Sequence, residues 1–178
     1  MTPEKESDDL ALVRRFQAGD VRAFDAIVEA HFEAIGKLAV RLLGWRGDVQ
    51  DVLQETFLVA YERLPQFEGR SQLRTWLAAI AIHVARRSLR RRRFRFWETA
   101  PEIAIESDCS LERDERAEQL RRAISRLGDS LREVIVLHYL EGKSIAETAE
   151  ILGLRVNTVE VRLHRARKLL GAALEGRI

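Results

Sequence analysis

The chain has 178 residues, 46% hydrophobic and 33% charged, with a formal net charge of +2, so one domain or two small soluble ones are expected. Its single cysteine, Cys109, excludes an internal disulfide framework and a cysteine-rich metal centre, and the four histidines (His31, His83, His138 and His164) show no paired metal-ligand spacing. The polar, acidic N-terminus is unlike a signal peptide and no run approaches the roughly 20 apolar residues of a membrane span, so a cytoplasmic protein without membrane insertion is expected.

The elements read as helices throughout, since 3 prolines and 10 glycines make few breaks. Leu10, Val13 and Phe16 share one face of a short first helix, which Asp8 or Asp9 would cap and Gly19 would end. Asp20 is placed to cap a longer helix whose stripe is Phe24, Ile27, Val28, His31, Ile35, Leu38 and Leu42. A third helix opens at Asp48. Its apolar face is Val49, Val52, Leu53, Phe57, Ala60 and Leu64, and its opposite face carries Asp51, Gln54, Glu55 and Glu62. Pro65 stops it. After the loop Phe67 to Arg70, Ser71 would cap a fourth helix bearing Leu73, Trp76, Leu77, Ile80, Ala81 and Val84. That helix runs into a segment with seven arginines in ten residues, 86–95.

The charge then reverses. Residues 98–118 hold eight acids against Arg113 and Arg116, a net of −6, and the first part shows no helical stripe. That composition predicts a linker. Four shorter helices follow. Leu120, Ile124 and Leu127 mark the first, and Leu131, Val134, Ile135, Leu137, His138 and Leu140 the second. Ser144 to Glu147 forms a capping box for the third, on which Ile145, Ala149 and Leu152 face inward. Asn157 to Glu160 repeats that pattern before the last helix, which buries Val159, Leu163, Ala166 and Leu170.

Two segments carry a nucleic-acid signature. Residues 144–170 are two short helices around a tight glycine-containing turn, the helix-turn-helix arrangement. The free face of the second is basic: Arg155, Arg162, Arg165, Arg167 and Lys168 stand against Glu160. Such a helix fits the major groove, with Asn157 and Thr158 near a phosphate at its N-terminus. A small bundle with a solvated basic face has the same pattern. The arginines of 86–95 repel one another unless a polyanion is near, and Phe94, Phe96 and Trp97 interleave with them as stacking aromatics or as core.

Three stretches together resemble the extracytoplasmic-function (ECF) sigma factors of bacterial RNA polymerase. Asp48-Val-Gln-Asp-Val-Leu-Gln-Glu-Thr-Phe-Leu-Val-Ala-Tyr61 is similar to the sigma region 2 helix that docks on the polymerase clamp. Phe67-Glu-Gly-Arg-Ser-Gln-Leu-Arg-Thr-Trp-Leu-Ala-Ala-Ile-Ala81 is similar to the part that opens and reads the −10 element. Residues 131–154, followed by Asn157-Thr-Val-Glu-Val-Arg-Leu-His-Arg-Ala-Arg167, resemble sigma region 4. The order is right, and the length leaves no room for region 1.1 or a full region 3.

The resemblance implies an all-α protein of two small helical domains joined by an acidic flexible linker: region 2 over 1–97, the linker over 98–116 and region 4 over 117–178. It implies that Asp48, Asp51, Gln54 and Glu55 grip the polymerase clamp helices, with region 4 on the flap. Phe67, Arg70 and Ser71 would form a pocket for a flipped −10 base, with Trp76 either core or a DNA-facing wedge. Arg86, Arg87 and Arg90 would hold the DNA backbone. Glu160, Val161, His164 and Arg165 would read the −35 element, while Arg155, Asn157, Thr158, Arg162 and Lys168 support contact with the duplex. The linker would enter the polymerase near the RNA path or serve as a plain tether. An anti-sigma factor is a common partner in the family. No catalytic residue, metal, cofactor or small-molecule substrate is implied.

Two departures stand out. The family often has Asn where this chain has His83, which leaves His83 as a −10 contact or a capped or partly buried histidine. Region 4 often opens with Leu-Pro, here Leu127-Gly128. A helix-turn-helix regulator acting without polymerase would explain 131–170 but not 48–81. A nuclease would need clustered carboxylates that the spacing does not supply.

Overall fold

The computed structural model describes residues 3–44, 49–98 and 115–175, with side chains described over 8–44, 49–91 and 117–174. Eight α-helices occur among the described residues: α1 Pro3–Gln17, α2 Arg22–Leu42, α3 Val49–Arg63, α4 Leu73–Glu98, α5 Glu115–Arg126, α6 Asp129–Ile135, α7 Ile145–Leu152 and α8 Val156–Glu175. A 3₁₀ turn, Leu64–Gln66, follows α3, and a π turn, Val136–Leu140, continues α6. No strand occurs among the described residues, as expected for an all-α chain. None of their helices is long and apolar enough to cross a membrane. Of the linker expected over 98–116, residues 99–114 lie outside the described residues, as do the candidate Asp48 and Cys109, while Glu98 closes α4 and Glu115 and Arg116 open α5.

The chain divides into two compact units, one of Met1–Ala39 with Asp48–Val84 and one of Val40–Gly47 with Ala85–Ile178. The core of the first unit is the set of stripes that the periodicity predicts. Ile27, Ile35 and Leu38 of α2, Val52, Leu53, Phe57 and Ala60 of α3, and Leu73, Leu77, Ala81 and Val84 of α4 are buried. Each large aliphatic removed from water contributes about 1.5–3 kcal/mol before entropy is counted. At one end the rings of Phe16, Phe24 and Tyr61 meet edge to face or tilted, with centroids 5.1–5.6 Å apart.

Helix α1 starts earlier than expected, and neither Asp8 nor Asp9 caps it. Asp9 sits in mid-helix with its carboxylate buried against His31 of α2, Oδ1 to Nε2 3.0 Å. The long-range partner outcompetes the local cap because a buried carboxylate needs a hydrogen-bond partner more than an exposed helix end does. Asp20 does cap α2. Its carboxylate pairs with Arg15 and takes backbone N–H groups of Arg22 and Ala23, all of which hold it below the usual aspartate range, Arg15 most strongly. The start of α4 falls at Leu73, so Ser71 lies one residue too early to cap it, and the carbonyl of Gln72 takes the Trp76 N–H.

In the second unit Ile124, Leu127, Val134, Ile135, Val136, Leu137, Ile151, Leu152, Val159, Leu163 and Ala166 are buried together. Leu120, expected in that stripe, is 38% exposed. Ser144 caps α7 as predicted: its hydroxyl accepts the Glu147 N–H at 3.1 Å, and the Ser144 N–H donates to the Glu147 carboxylate at 2.8 Å. Helix α7 ends at Gly153, whose φ of 65° and ψ of 38° are left-handed. Helix α8 then begins at Val156, with the Arg155 carbonyl taking the first amide, so Asn157 lies inside the first turn and is not its cap. The turn closed by Gly153 is too short to reach the second capping pattern.

Two outcomes follow. Asp9→Ala leaves the buried His31 without its partner and should destabilise the first unit by about 1–3 kcal/mol, whereas Asp9→Leu with His31→Leu should recover part of that loss; urea unfolding of the three proteins measures both. Ser144→Ala should cost about 1 kcal/mol. The backbone N–H of Ser144, its hydroxyl and Lys143 hold the Glu147 carboxyl below the ordinary glutamate value. A lowered folded pKa adds stability above the unfolded value, about 4.3, and loses it as pH falls through the folded value. The melting temperature of the wild type should therefore exceed that of Glu147→Gln at pH 7, with the gap closing as pH drops below about 4.3.

Candidate nucleic-acid interface

Helix α8 presents the strongest candidate surface. Val159, Leu163 and Ala166 face the core, so the residues between them must face out. Arg155, Asn157, Glu160, Val161, His164, Arg165, Arg167 and Lys168 are exposed, and Thr158 and Arg162 are half-buried at the margin. Every residue expected to meet the −35 element therefore lies on or beside one open face. The first bonded amide of α8 is that of Thr158, which leaves the preceding N–H groups at the helix start directed toward solvent, where an anion is favoured. Ahead of α7, the carbonyl of Lys143 accepts from His138 Nδ1 at 2.7 Å, which ties the π turn to the start of the two-helix motif.

The second surface is the loop after α3 with the near half of α4. Glu68, Gly69 and Arg70 are exposed, Ser71 is half-buried, and Glu68 and Arg70 form an ion pair across the loop. The Phe67 ring is only 8% exposed and packs against Trp76, centroids 5.1 Å apart and tilted by 55°. Phe67 is thus the floor of the loop rather than an open stacking face, and Trp76, half-buried, is its support. His83 is exposed on α4, so the alternative of a partly buried histidine does not hold. Gly69 has a φ of 72°, which favours glycine at the outermost bend of the loop.

Of the arginines expected on the DNA backbone, Arg87 and Arg90 are exposed. Arg86 is engaged within the second unit: its Nε and Nη2 each lie 2.7 Å from an oxygen of the Glu133 carboxylate. This bidentate pair firms the Arg86 charge, against the opposing effect of partial burial. This partner lies 47 positions away, and its one local cue is that the adjacent Arg132 and Glu133 interrupt an otherwise apolar stripe.

On α3, Asp51 and Gln54 are exposed and Glu55 is half-buried, so the described members of that quartet share the outer part of the helix. Beside them lie apolar side chains that the stripes do not use. Leu58 is 58% exposed, and the exposed Phe32 of α2 stacks on Phe57 at 6.1 Å and 11°. An apolar residue outside a buried stripe is the signal for such a surface. Gln17, at the end of α1, also escaped the sequence reading. Its side-chain amide reaches backbone carbonyls of the turn before the loop.

Comparison with known proteins covers both units. Residues 27–95 match the family Sigma-70 region 2 and residues 117–170 match Sigma-70, region 4. The chain is 35% identical to the RNA polymerase sigma-H factor of Pseudomonas aeruginosa, over 96% of this chain and 95% of that protein. It is 34% identical to the ECF RNA polymerase sigma-E factor of Haemophilus influenzae, over 91% and 93%. With the ECF RNA polymerase sigma factor SigW of Bacillus subtilis it shares 31% identity, over 89% and 92%. Among solved structures, CnrH in complex with the cytosolic domain of CnrY aligns with a TM-score of 0.70 and 31% identity, over 96% of this chain and 99% of that one. The sigma factor RpoE of Bartonella quintana, in complex with the anti-sigma factor NepR, shares the fold with a TM-score of 0.72 at 24% identity, over 89% and 100%. Two helical units carrying an open basic helix and an exposed loop over a buried aromatic floor, with whole-length relatives at this level of identity, lead to one conclusion: the chain belongs to the ECF sigma factors of bacterial RNA polymerase, the proteins that direct it to initiate at promoters.

Proposed function

We propose that this sigma factor reads the −35 element with α8 and the −10 element with the loop 67–71 and the outer face of α4, and that it helps melt the −10 DNA. The observation that carries the reading is the sorting of α8, where Val159, Leu163 and Ala166 are buried and the predicted reading residues are exposed. Glu160, Val161, His164 and Arg165 project from the face that would enter the major groove. An arginine there meets guanine edges, and a glutamate accepts from cytosine. Arg155 and the amides at the start of α8 hold phosphates, which fix register without reading sequence.

In the first unit a base flipped from the −10 duplex enters the loop. Extrusion costs a few kcal/mol, which stacking and hydrogen bonds must offset. Glu68, Arg70 and Ser71 line the opening above the Phe67 floor. His83, Arg87 and Arg90 follow along α4 toward the melted edge, with Arg86 joining them when it leaves Glu133. The outer face of α3, with Asp51, Gln54 and Glu55, docks on the clamp helices of the polymerase together with Asp48, which precedes the helix in sequence, and the exposed Leu58 adds apolar contact. The second unit docks on the flap, and the acidic linker lies near the RNA path. The two structural neighbours are complexes with partner proteins, one of them named an anti-sigma factor. An anti-sigma factor covering the polymerase-binding faces is the partner that reading supplies here. The protein would act where the polymerase does, in the cytoplasm.

The test is transcription by core polymerase from a pool of randomised promoters, with and without the purified chain. Enrichment of one −35 and −10 pair supports the reading. Duplex binding without core association or transcripts would sink it and leave a simple regulator. On the selected promoter, Arg165→Ala should cost about 1–3 kcal/mol and relax preference at one −35 base pair only. Arg155→Ala should weaken all sequences alike and lower the salt slope of binding by about 1.

A further inference from the structure

We propose that Gln17 is a positioning residue for −10 recognition: from α1 it holds the backbone on which the reading loop is mounted. This rests on the assignment of the loop 67–71 to the −10 base.

The amide group of the Gln17 side chain faces three backbone carbonyls, at 3.2 Å from Leu64, 3.4 Å from Pro65 and 2.9 Å from Phe67. All three are acceptors, so the –NH₂ end must point at them, and its two protons are shared among three oxygens. The carbonyls converge because of Pro65. Its ring cannot continue α3, and the chain tightens into the 3₁₀ turn Leu64–Gln66, closed by the Phe67 N–H on the Leu64 carbonyl at 3.1 Å. The Leu64 carbonyl thus accepts from both the Phe67 N–H and Gln17, and Gln17 reaches this group of carbonyls across 47 to 50 positions of sequence.

Phe67 is thereby held twice, by its ring against Trp76 and by its carbonyl against Gln17. The next residues, 68–70, are exposed and irregular, so their aim depends on that anchor. A second contact with α1 lies further along the loop: a Cβ at Gly69 would come 3.5 Å from Leu10 Cδ2. Helix α1 is a shelf beneath the loop. It lies outside the residues matched to sigma region 2, which begin at 27. Gln17 itself is exposed and fills no core space, so its contribution is the donors it supplies and not packing.

The experiment uses the full chain with core polymerase on promoters carrying each base at every −10 and −35 position. Gln17→Leu keeps the bulk and removes the donors; Gln17→Lys keeps donors. Gln17→Leu should lower output from the preferred promoter by about 5- to 30-fold, the factor for one or two lost hydrogen bonds of ordinary strength. It should flatten base discrimination at a single −10 position, leave −35 discrimination and core affinity unchanged, and be rescued at least in part by Gln17→Lys. Wild-type −10 discrimination in Gln17→Leu overturns the proposal, as does an equal loss at both elements or a collapse of the first unit on melting, since either makes Gln17 merely structural. Arg70→Ala separates the two layers. If it leaves −10 discrimination intact, the loop assignment fails and the role of Gln17 falls with it. If Arg70→Ala alters discrimination and Gln17→Leu does not, only the positioning role fails.

Discussion

Val159, Leu163 and Ala166 are buried at spacings of four and three, and that stripe decides the orientation of the rest of α8. A helix rotated to bury it has no freedom left in which residues it presents. Glu160, Val161, His164 and Arg165 then occupy one outward face, because 100° per residue separates them from the buried row. Helices α5, α6 and α7 pack on α8, and Ile124, Val134, Leu137, Ile151 and Leu152 of this unit are buried too. The orientation of the open face of α8 is therefore set by the same burial that folds the second unit. Gly153 sets the turn that brings α7 and α8 together, and the Ser144–Glu147 cap fixes where α7 begins.

The first unit solves a different problem with the same means. Its candidate site is a loop, and loops take their shape from what they are fastened to. Pro65 ends α3, Phe67 drops into the core on Trp76, and Gln17 donates to the carbonyls of the turn and of Phe67. The exposed stretch between those anchors and α4 is only a few residues long. Such a design permits variation at Glu68, Arg70 and Ser71 without disturbing the bundle below, while Gly69 keeps its left-handed turn.

The faces of the helices were legible in the sequence, because burial follows period 3.6 closely in α2, α3 and α8. Helix starts were less so. Asp9, Ser71 and Asn157 are all good capping residues, and none of them caps. Asp9 is claimed by His31, α4 begins two residues past Ser71, and α8 begins before Asn157. A cap is worth about 1 kcal/mol, so a long-range contact or a turn of fixed length overrides it. The resemblance supplied roles for the arginines of α4, but no local pattern could show that Arg86 has a carboxylate from a distant helix within reach. Gln17 was missed for a related reason: a lone glutamine at a helix end carries no periodic signal, and its partners are carbonyls that only the folded turn exposes.

The Arg86–Glu133 pair bears on how the electrostatics of this chain are counted. Salt dependence of binding to a polyanion reports the ions displaced when a protein cation replaces them at a phosphate. An arginine already neutralised by a bidentate carboxylate displaces none until that carboxylate lets go, and Glu133, at 8% side-chain exposure, gains little water when it does. The seven arginines of 86–95 are therefore not seven equal contributors to a charge tally. At least Arg86 is held by a carboxylate, so the effective valence of the chain depends on its conformation as well as its composition.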